Sequence, residues 1–522
     1  MKMRIRYMMT TGMFPVFALM LSARPQPAPL FGDHAVLQRG KPAPVWGTAG
    51  PGERVTVRYG SQVAQAQADA AGRWQATLPP LKETGPAQDL LFESADGRAV
   101  SRDVVVGDVW LCAGQSNMAW SLGQSSGRSV GAEEAVDAPP EPGIRQFVRR
   151  PVHVPFSDTP QTEFRGRWVV SAPAVRKEFS AVGYLFAREL HVRLDVPQGF
   201  IVSAVAGTFI ESWMSAGALR AAGIDREAAD KWSKTLAAYP AKYVDHERAM
   251  REWEREKQDA AAIGKSFTRR RPSPPPGPGH RDTPSGCFNT LLNPVIPYAL
   301  RGMVWYQGEQ NIGRRAKYAD LLRAFLADLR GRWSGDALPA LLVQLPNFSS
   351  DGADRPEWAI FREAQASLTK EPGNFMAVSI DLGTPGDVHP PDKRELARRL
   401  SLVALRRVYG RPVNDEGPRL AGVRRGGGAG LLLTFAGGTG ALPLELIPPD
   451  QRPAGKTFEV AGADGRFQAA SASIESVDTV RVGSPDVREP VAVRYLWSNA
   501  PAAILYGADR LPVAPFRAEL PR

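Results

Sequence analysis

Apolar and polar positions change their rhythm near residues 104 and 411. Between residues 24 and 103 they alternate, as at Val55, Val57 and Tyr59, with turn signals at Pro51-Gly52, Ala71-Gly72 and Asp96-Gly97. Period-2 alternation broken by frequent turns predicts a small antiparallel β-sandwich. From 104 to 410 short apolar runs take turns with amphipathic stretches. Val104–Cys112, Phe200–Val205, Met303–Tyr306, Leu341–Leu345 and Met376–Ile380 predict strands, and Ala181–Leu194, Tyr318–Trp333 and Lys393–Tyr409 predict helices. In the last helix Leu396, Leu400, Val403, Ala404 and Val408 fall on one face. Strands alternating with helices predict an α/β fold, a parallel sheet with helices on both faces. Residues 411–522 return to a turn-rich β pattern, with strands at Leu431–Phe435 and Val491–Trp497. Residues 217–286 fit neither rhythm. They are highly charged, helical around Ala228–Ala262 and then Pro-rich, which predicts an insertion.

The first 23 residues read as a processing segment. Lys2, Arg4 and Arg6 form a basic head, and Met8 to Leu21 is largely apolar but only 14 residues long. A bilayer needs about 20. With Ser22-Ala23 just beyond, residues 1–23 predict a secretory signal peptide and hence a periplasmic or extracellular protein. No later stretch is apolar enough to span, so no membrane span is expected after processing. With only two cysteines, Cys112 and Cys287, this is no disulfide framework, and stability has to come from burial. Cys112 reads first as a small core residue of a strand, and a bridge between the two stays open.

Composition narrows the function. At 43% hydrophobic and 23% charged, the 522 residues can build three or four packed units and are far too apolar for a disordered chain. The net charge of +11 is spread over 65 basic and 54 acidic residues. The dense run Arg269-Arg270-Arg271 passes straight into Pro272-Ser273-Pro274-Pro275-Pro276, a solvated linker, so no nucleic-acid partner is expected. Nothing in the pattern speaks to oligomeric state.

In open parallel sheets reactive groups collect at the carboxyl ends of the strands. Here those positions hold Gly114-Gln115-Ser116-Asn117-Met118, Ala206-Gly207-Thr208 with Glu211-Ser212-Trp213 beyond, Gln307-Gly308-Glu309-Gln310-Asn311, and Asp381-Leu382-Gly383 followed by Asp387-Val388-His389-Pro390. A serine, glycines, amides, carboxylates and a histidine at one edge are the parts of acyl transfer. Two G-x-S-x-G matches, around Ser125 and Ser129, lie in a Ser/Gly-rich loop with no strand ahead, which that motif requires. Ser116 does follow a strand. Of six histidines, His34 lies in the N-terminal region, His246 and His280 in the insertion, His191 in a helix and His153 in a Pro-flanked loop. Only His389 stands beyond a sheet strand. Scattered histidines and two cysteines disfavour a metal site, and no cofactor is expected.

These residues carry a resemblance. Leu30 to Gln38, Val45-Trp46-Gly47, Gly107 to Met118 with its G-Q-S-N-M string, Trp305-Tyr306-Gln307-Gly308-Glu309, Val493-Arg494-Tyr495 and Pro515-Phe516-Arg517 resemble the sialate O-acetylesterase family of carbohydrate esterases, whose catalytic domain is of the SGNH-hydrolase type. The resemblance covers nearly the whole mature chain. It implies an SGNH-hydrolase-like parallel sheet over 104–410, with β-sandwich-like regions at 24–103 and 411–522. It also implies hydrolysis of acetyl esters on sugar hydroxyls by a serine mechanism without metal, with Ser116 as nucleophile and His389 as base.

This chain departs from the family's pattern in two places. Ala206-Gly207-Thr208 stands where the family usually has Gly-Gly-Thr, so Gly207 alone carries over as a backbone oxyanion donor beside Ser116. Gln307 is expected to add an amide. Gly386 stands where SGNH enzymes commonly have the acid, three residues before the histidine. Glu309, from the Q-G-E string, is preferred as the residue orienting His389. Asp387 is the other candidate, since in an extended segment it shares a side with His389. Asn117, Asn311 and Arg362 are candidate substrate contacts, Arg362 for a sialate carboxylate. The expected substrate is an acetylated sugar of the 9-O-acetyl sialate kind. The alternatives are an acetylesterase for xylan, xyloglucan or pectin, and a carbohydrate-binding protein without catalysis.

Overall fold

The computed structural model describes residues 24–521 apart from 83–84, 151–154, 334–337, 351–354, 385, 428–429, 438–443, 448–456 and 502–503. The expected signal peptide and His153 lie outside the described residues.

The centre is one sheet. In chain order its strands are β1 (Gly97–Gly114), β2 (Glu141–Arg149), β3 (Gly166–Ser171), β4 (Gln198–Ala204), β5 (Gly302–Tyr306), β6 (Ala340–Val343) and β7 (Asn374–Ala377), arranged β3-β2-β4-β1-β5-β6-β7. All neighbours run parallel except the β2–β3 pair. The order reverses at β1, which lies between β4 and β5. A crevice at the carboxyl end of β1 follows from that reversal.

Helices cover both faces, and the pleat shows it. Side chains of successive strand residues point to opposite faces. Trp110 of β1 meets Phe186 of α2 (Ala181–Leu194), with ring centroids 5.1 Å apart. Trp305 of β5 pairs in register with Ala113, three residues on from Trp110, and so points the other way. It meets Phe325 of α4 (Arg315–Arg332), 4.7 Å away. The short α1 (Ser116–Ala119), the long α3 (Asp225–Ala262), α5 (Glu357–Ser367) and α6 (Lys393–Arg407) complete the set used below. The apolar face expected of α6 is buried at Leu396, Leu400, Val403 and Ala404. Asp392 caps that helix, its Oδ1 accepting from Glu395 N at 2.8 Å.

The N-terminal region packs Val55, Val57 and Tyr59 inward, as the alternation requires. Its last strand does not stop at residue 103. The first half of β1 pairs antiparallel with Gln88–Ser94, and its second half is the middle of the central sheet. Asp103, with φ of +55°, lies inside the shared strand. Beyond it Asp108 is fully buried. Desolvation opposes its charge, yet Arg39 and Arg301 hold its carboxyl below the usual range.

The C-terminal region is a seven-stranded antiparallel sheet, from Arg419–Arg425 at one edge to Phe516–Glu519 at the other. Its core, around Leu431, Val460, Val480 and Tyr495, also takes in Ile380 from the segment after β7. Within 217–286, α3 runs for 38 residues without a buried side chain. Cys112 and Cys287 are both buried, unbridged thiols, and burial pushes each up to about 12.

Candidate active site

Four strand ends meet at the crevice. At the end of β1, Gly114 has φ of +143°, and a Cβ there would stand 2.0 Å from Tyr306 O. Only glycine fits so close to β5. Gln115 N then donates to Tyr306 O at 3.0 Å, and Ser116 follows as the first residue of α1. Its N–H has no acceptor within the helix. His389, beyond β7, places Nε2 3.1 Å from Ser116 Oγ. Its ring stacks on Trp120 at 4.1 Å between centroids and 21° between planes.

The carboxylate beside this imidazole is Asp387. Its Oδ1 accepts from His389 N at 2.9 Å and lies 3.4 Å from Nδ1. Burial lowers the His389 pKa below its ordinary value, Lys393 and Arg128 push the same way, and Asp387 opposes them. The ring is therefore a neutral base at neutral pH.

Glu309, the preferred orienting acid, is turned elsewhere. Its Oε1 accepts from Asn117 Nδ2 at 2.6 Å, while its Oε2 is buried without a partner. Burial raises its pKa, against the pull of Asn117 and Lys393. Asn117 is not a substrate contact either. Its second N–H goes to Val388 O at 3.1 Å, and its Oδ1 accepts from the buried Lys393 Nζ at 2.9 Å. The residue after the nucleophile is thus tied to the residue before the base.

The segment after β4 carries Gly207 at φ of +65°. Among the described residues its N–H meets no acceptor. The loop around it is held firmly. Thr208 Oγ1 donates to Val205 O at 2.9 Å, Trp213 Nε1 donates to Thr208 Oγ1 at 2.9 Å, and Gln307 Nε2 donates to Thr208 O at 3.0 Å. Gln307 also donates to Asn311 Oδ1 at 2.7 Å, which uses its second N–H. Gln307 therefore fixes the loop and has no donor left for an oxyanion. Asn311 is fully buried, its Oδ1 accepting from Ile210 N and Gln307 and its Nδ2 donating to Glu211 Oε2, which removes it as a substrate contact. Arg362 is completely buried and donates to Pro346 O and Ser498 O, joining the central sheet to the C-terminal region. It cannot reach a substrate.

The competing side chains sit elsewhere. Ser125 is fully buried with its hydroxyl unpartnered, and Ser129 lies in the bend that follows. His34 pairs with Asp103, His191 with Val196 O and His280 with Asp282. Sequence reasoning missed Trp120 and Lys393. Each lies four residues after a catalytic candidate, and that spacing was the available signal. Among the described residues no group of three or more His, Cys, Asp or Glu side chains is placed to hold a metal ion. A cavity of about 710 Å³ opens beside the Gly207 loop, lined by Phe209, Glu211, Lys231, Trp232 and Arg314.

Comparison with known proteins agrees with this architecture. The family model for carbohydrate esterases, sialic acid-specific acetylesterase, matches residues 289–401, a span that includes Glu309 and His389. Sialate O-acetylesterase of Homo sapiens is 27% identical over 523 residues, covering 91% of this chain and 88% of its own length. The Mus musculus enzyme is also 27% identical, covering 92% and 91%. The crystal structure of XAC1771, a novel carbohydrate acetylesterase from Xanthomonas citri, is 32% identical with a TM-score of 0.75, covering 95% of this chain and 99% of that one. Fold and relatives define an SGNH-hydrolase-like carboxylic-ester hydrolase. The chain belongs to the carbohydrate acetylesterases, and it removes O-acetyl groups from carbohydrates.

Proposed function

We propose that the chain is an exported serine esterase acting on O-acetyl sialate, with Ser116 as nucleophile, His389 as base and Asp387 as the orienting acid. The observation that carries the mechanism is the 3.1 Å contact between Ser116 Oγ and His389 Nε2 beside two uncommitted N–H groups. His389 Nε2 takes the hydroxyl proton as Oγ attacks the acetyl carbonyl. The N–H groups of Ser116 and Gly207 hold the oxyanion. The tetrahedral adduct collapses, the sugar oxygen leaves with the proton from His389, and water activated by the same imidazole releases acetate from Ser116. Asp387 accepts from the imidazole Nδ1–H and stabilises the cation formed in each half-reaction.

The sialate reading is supported by the curated relatives, which are sialate O-acetylesterases. Export is supported by the basic head and short apolar run of residues 1–23. No helix among the described residues is long and apolar enough to cross a membrane.

Acetate release from 9-O-acetyl sialate, acetylated xylan and acetylated xyloglucan tests both claims. Sialate should be the best substrate, and Ser116→Ala should abolish release from all three. A preference for xylan or xyloglucan would replace the sialate reading, and an active Ser116→Ala would remove the nucleophile. EDTA should leave the rates unchanged, because no step uses a metal.

A further inference from the structure

The insertion brings one cation to the oxyanion loop. Nη2, Cζ and Nε of Arg281 lie 3.3, 3.4 and 3.6 Å from where a Cβ on Gly207 would stand. Three atoms at nearly equal distance place the guanidinium flat against the Gly207 backbone. Stacked this way, its in-plane N–H donors point past the glycine rather than into it.

The backbone of Arg281 is fastened while its side chain is not. Arg281 O accepts from Ser212 Oγ at 2.7 Å, the same hydroxyl accepts from Cys287 N at 3.2 Å, and Ser285 N donates to Glu211 O at 3.3 Å. These bonds tie the strap after α3 to the segment after the oxyanion loop. The residue is exposed, and among the described residues its guanidinium makes no hydrogen bond or ion pair. The nearest charged side chains face other groups. Arg314 is paired with Glu211, and Asp282 faces His280 Nδ1 at 3.6 Å. Lys231 and Arg314 both stand over the ring of Phe209, at 5.1 and 5.4 Å.

An exposed, unpaired arginine with a fixed backbone, next to the place where the ester carbonyl binds, suits a planar anion. We propose that Arg281 is the specificity-determining residue that holds a carboxylate on the sugar being deacetylated. This takes the role that buried Arg362 cannot fill. It rests on the sialate reading for its first probe, although a uronic acid carries the same group, and the substrates below separate the two.

The test compares 9-O-acetyl sialic acid with its methyl ester, which keeps the acetyl group and loses the charge. The full-length enzyme should favour the acid by roughly 10–100-fold in kcat/KM, the range expected for one charge-assisted bidentate contact. Arg281→Gln should erase that preference through KM, and Arg281→Lys should restore only part of it. The proposal is overturned if the enzyme treats acid and ester alike, or if Arg281→Gln keeps the preference. Equal loss on acid and ester, in kcat, would make Arg281 part of the oxyanion site and also overturn it. If the enzyme releases no acetate from either sialate, the sialate reading fails separately. The comparison then passes to acetylated galacturonan and its methyl-esterified form, where the same preference and the same loss would identify a uronic acid as the source of the carboxylate.

Discussion

Two carboxylates flank the Ser116–His389 pair, and their surroundings divide the work between them. Glu309 turns inward, its Oε1 bonded to Asn117 and its Oε2 buried, with Lys393 on the far side of the same amide. Asp387 stands on the rim with 58% of its side chain exposed and touches the imidazole directly. Burial makes a charged group expensive to disturb but fixes what it holds. Exposure makes it cheap to change and leaves it able to follow a moving proton. The inner carboxylate therefore keeps the nucleophile's helix and the histidine's loop in register, and the outer one serves the chemistry.

The largest effect should come from unbalancing the inner site. Lys393→Met leaves the Glu309 carboxylate buried with one amide partner, and urea unfolding should show a loss of about 3 kcal/mol. Adding Glu309→Gln should recover much of that loss, because the orphaned charge goes with it. A double variant no more stable than Lys393→Met would break the coupling between the two groups.

Asp387→Asn should spare the fold, within about 0.5 kcal/mol, and slow kcat about a hundredfold, roughly 2.7 kcal/mol of barrier. Glu309→Gln, measured beside it, should cost less in kcat than in stability. If Glu309→Gln is the crippling change and Asp387→Asn nearly silent, the two roles are exchanged.

The acid limb of kcat/KM should be a smaller but sharper reporter. Activity needs neutral imidazole, and burial lowers the His389 pKa, so the limb should lie below the ordinary histidine value. Removing the charge of Asp387, which raises that pKa, should move the limb further towards acid. Removing Lys393, which lowers it, should move the limb back. Shifts of the opposite sign would show that these charges do not face the ring.

Ser125→Ala should have the smallest effect. The hydroxyl is buried and has no hydrogen-bond partner, histidine included, so activity towards p-nitrophenyl acetate should stay at the parent level.

How much of this the sequence revealed depended on the range of the forces involved. The helix expected over Ala181–Leu194 has those bounds, because its apolar stripe repeats locally. The serine and histidine stood out because each follows a strand that apolar runs announce. The direction a side chain takes after a strand end is not local. Glu309 turns inward because Asn117, 192 residues earlier, offers it a hydrogen bond. Arg362 is buried by carbonyls as distant as Ser498. Gln307 and Asn311 looked like free amides until Thr208, Ile210 and Glu211 closed around them. The division expected at 103–104 falls within an unbroken strand, since a change of partners leaves no mark on an alternating pattern.

That strand has a practical consequence. β1 begins as an edge of the N-terminal sheet and ends two residues before Ser116. A truncation at the apparent seam would remove the antiparallel partner of its first half and the short strand Val36–Gln38 that pairs with Val105–Gly107, leaving the start of the catalytic sheet's central strand without a partner. Anyone trimming this enzyme for crystallisation, display or fusion should treat the N-terminal sheet as a splint for the catalytic one. Cuts belong in the exposed stretch 264–271 just after α3, ahead of the fastened segment that carries Arg281.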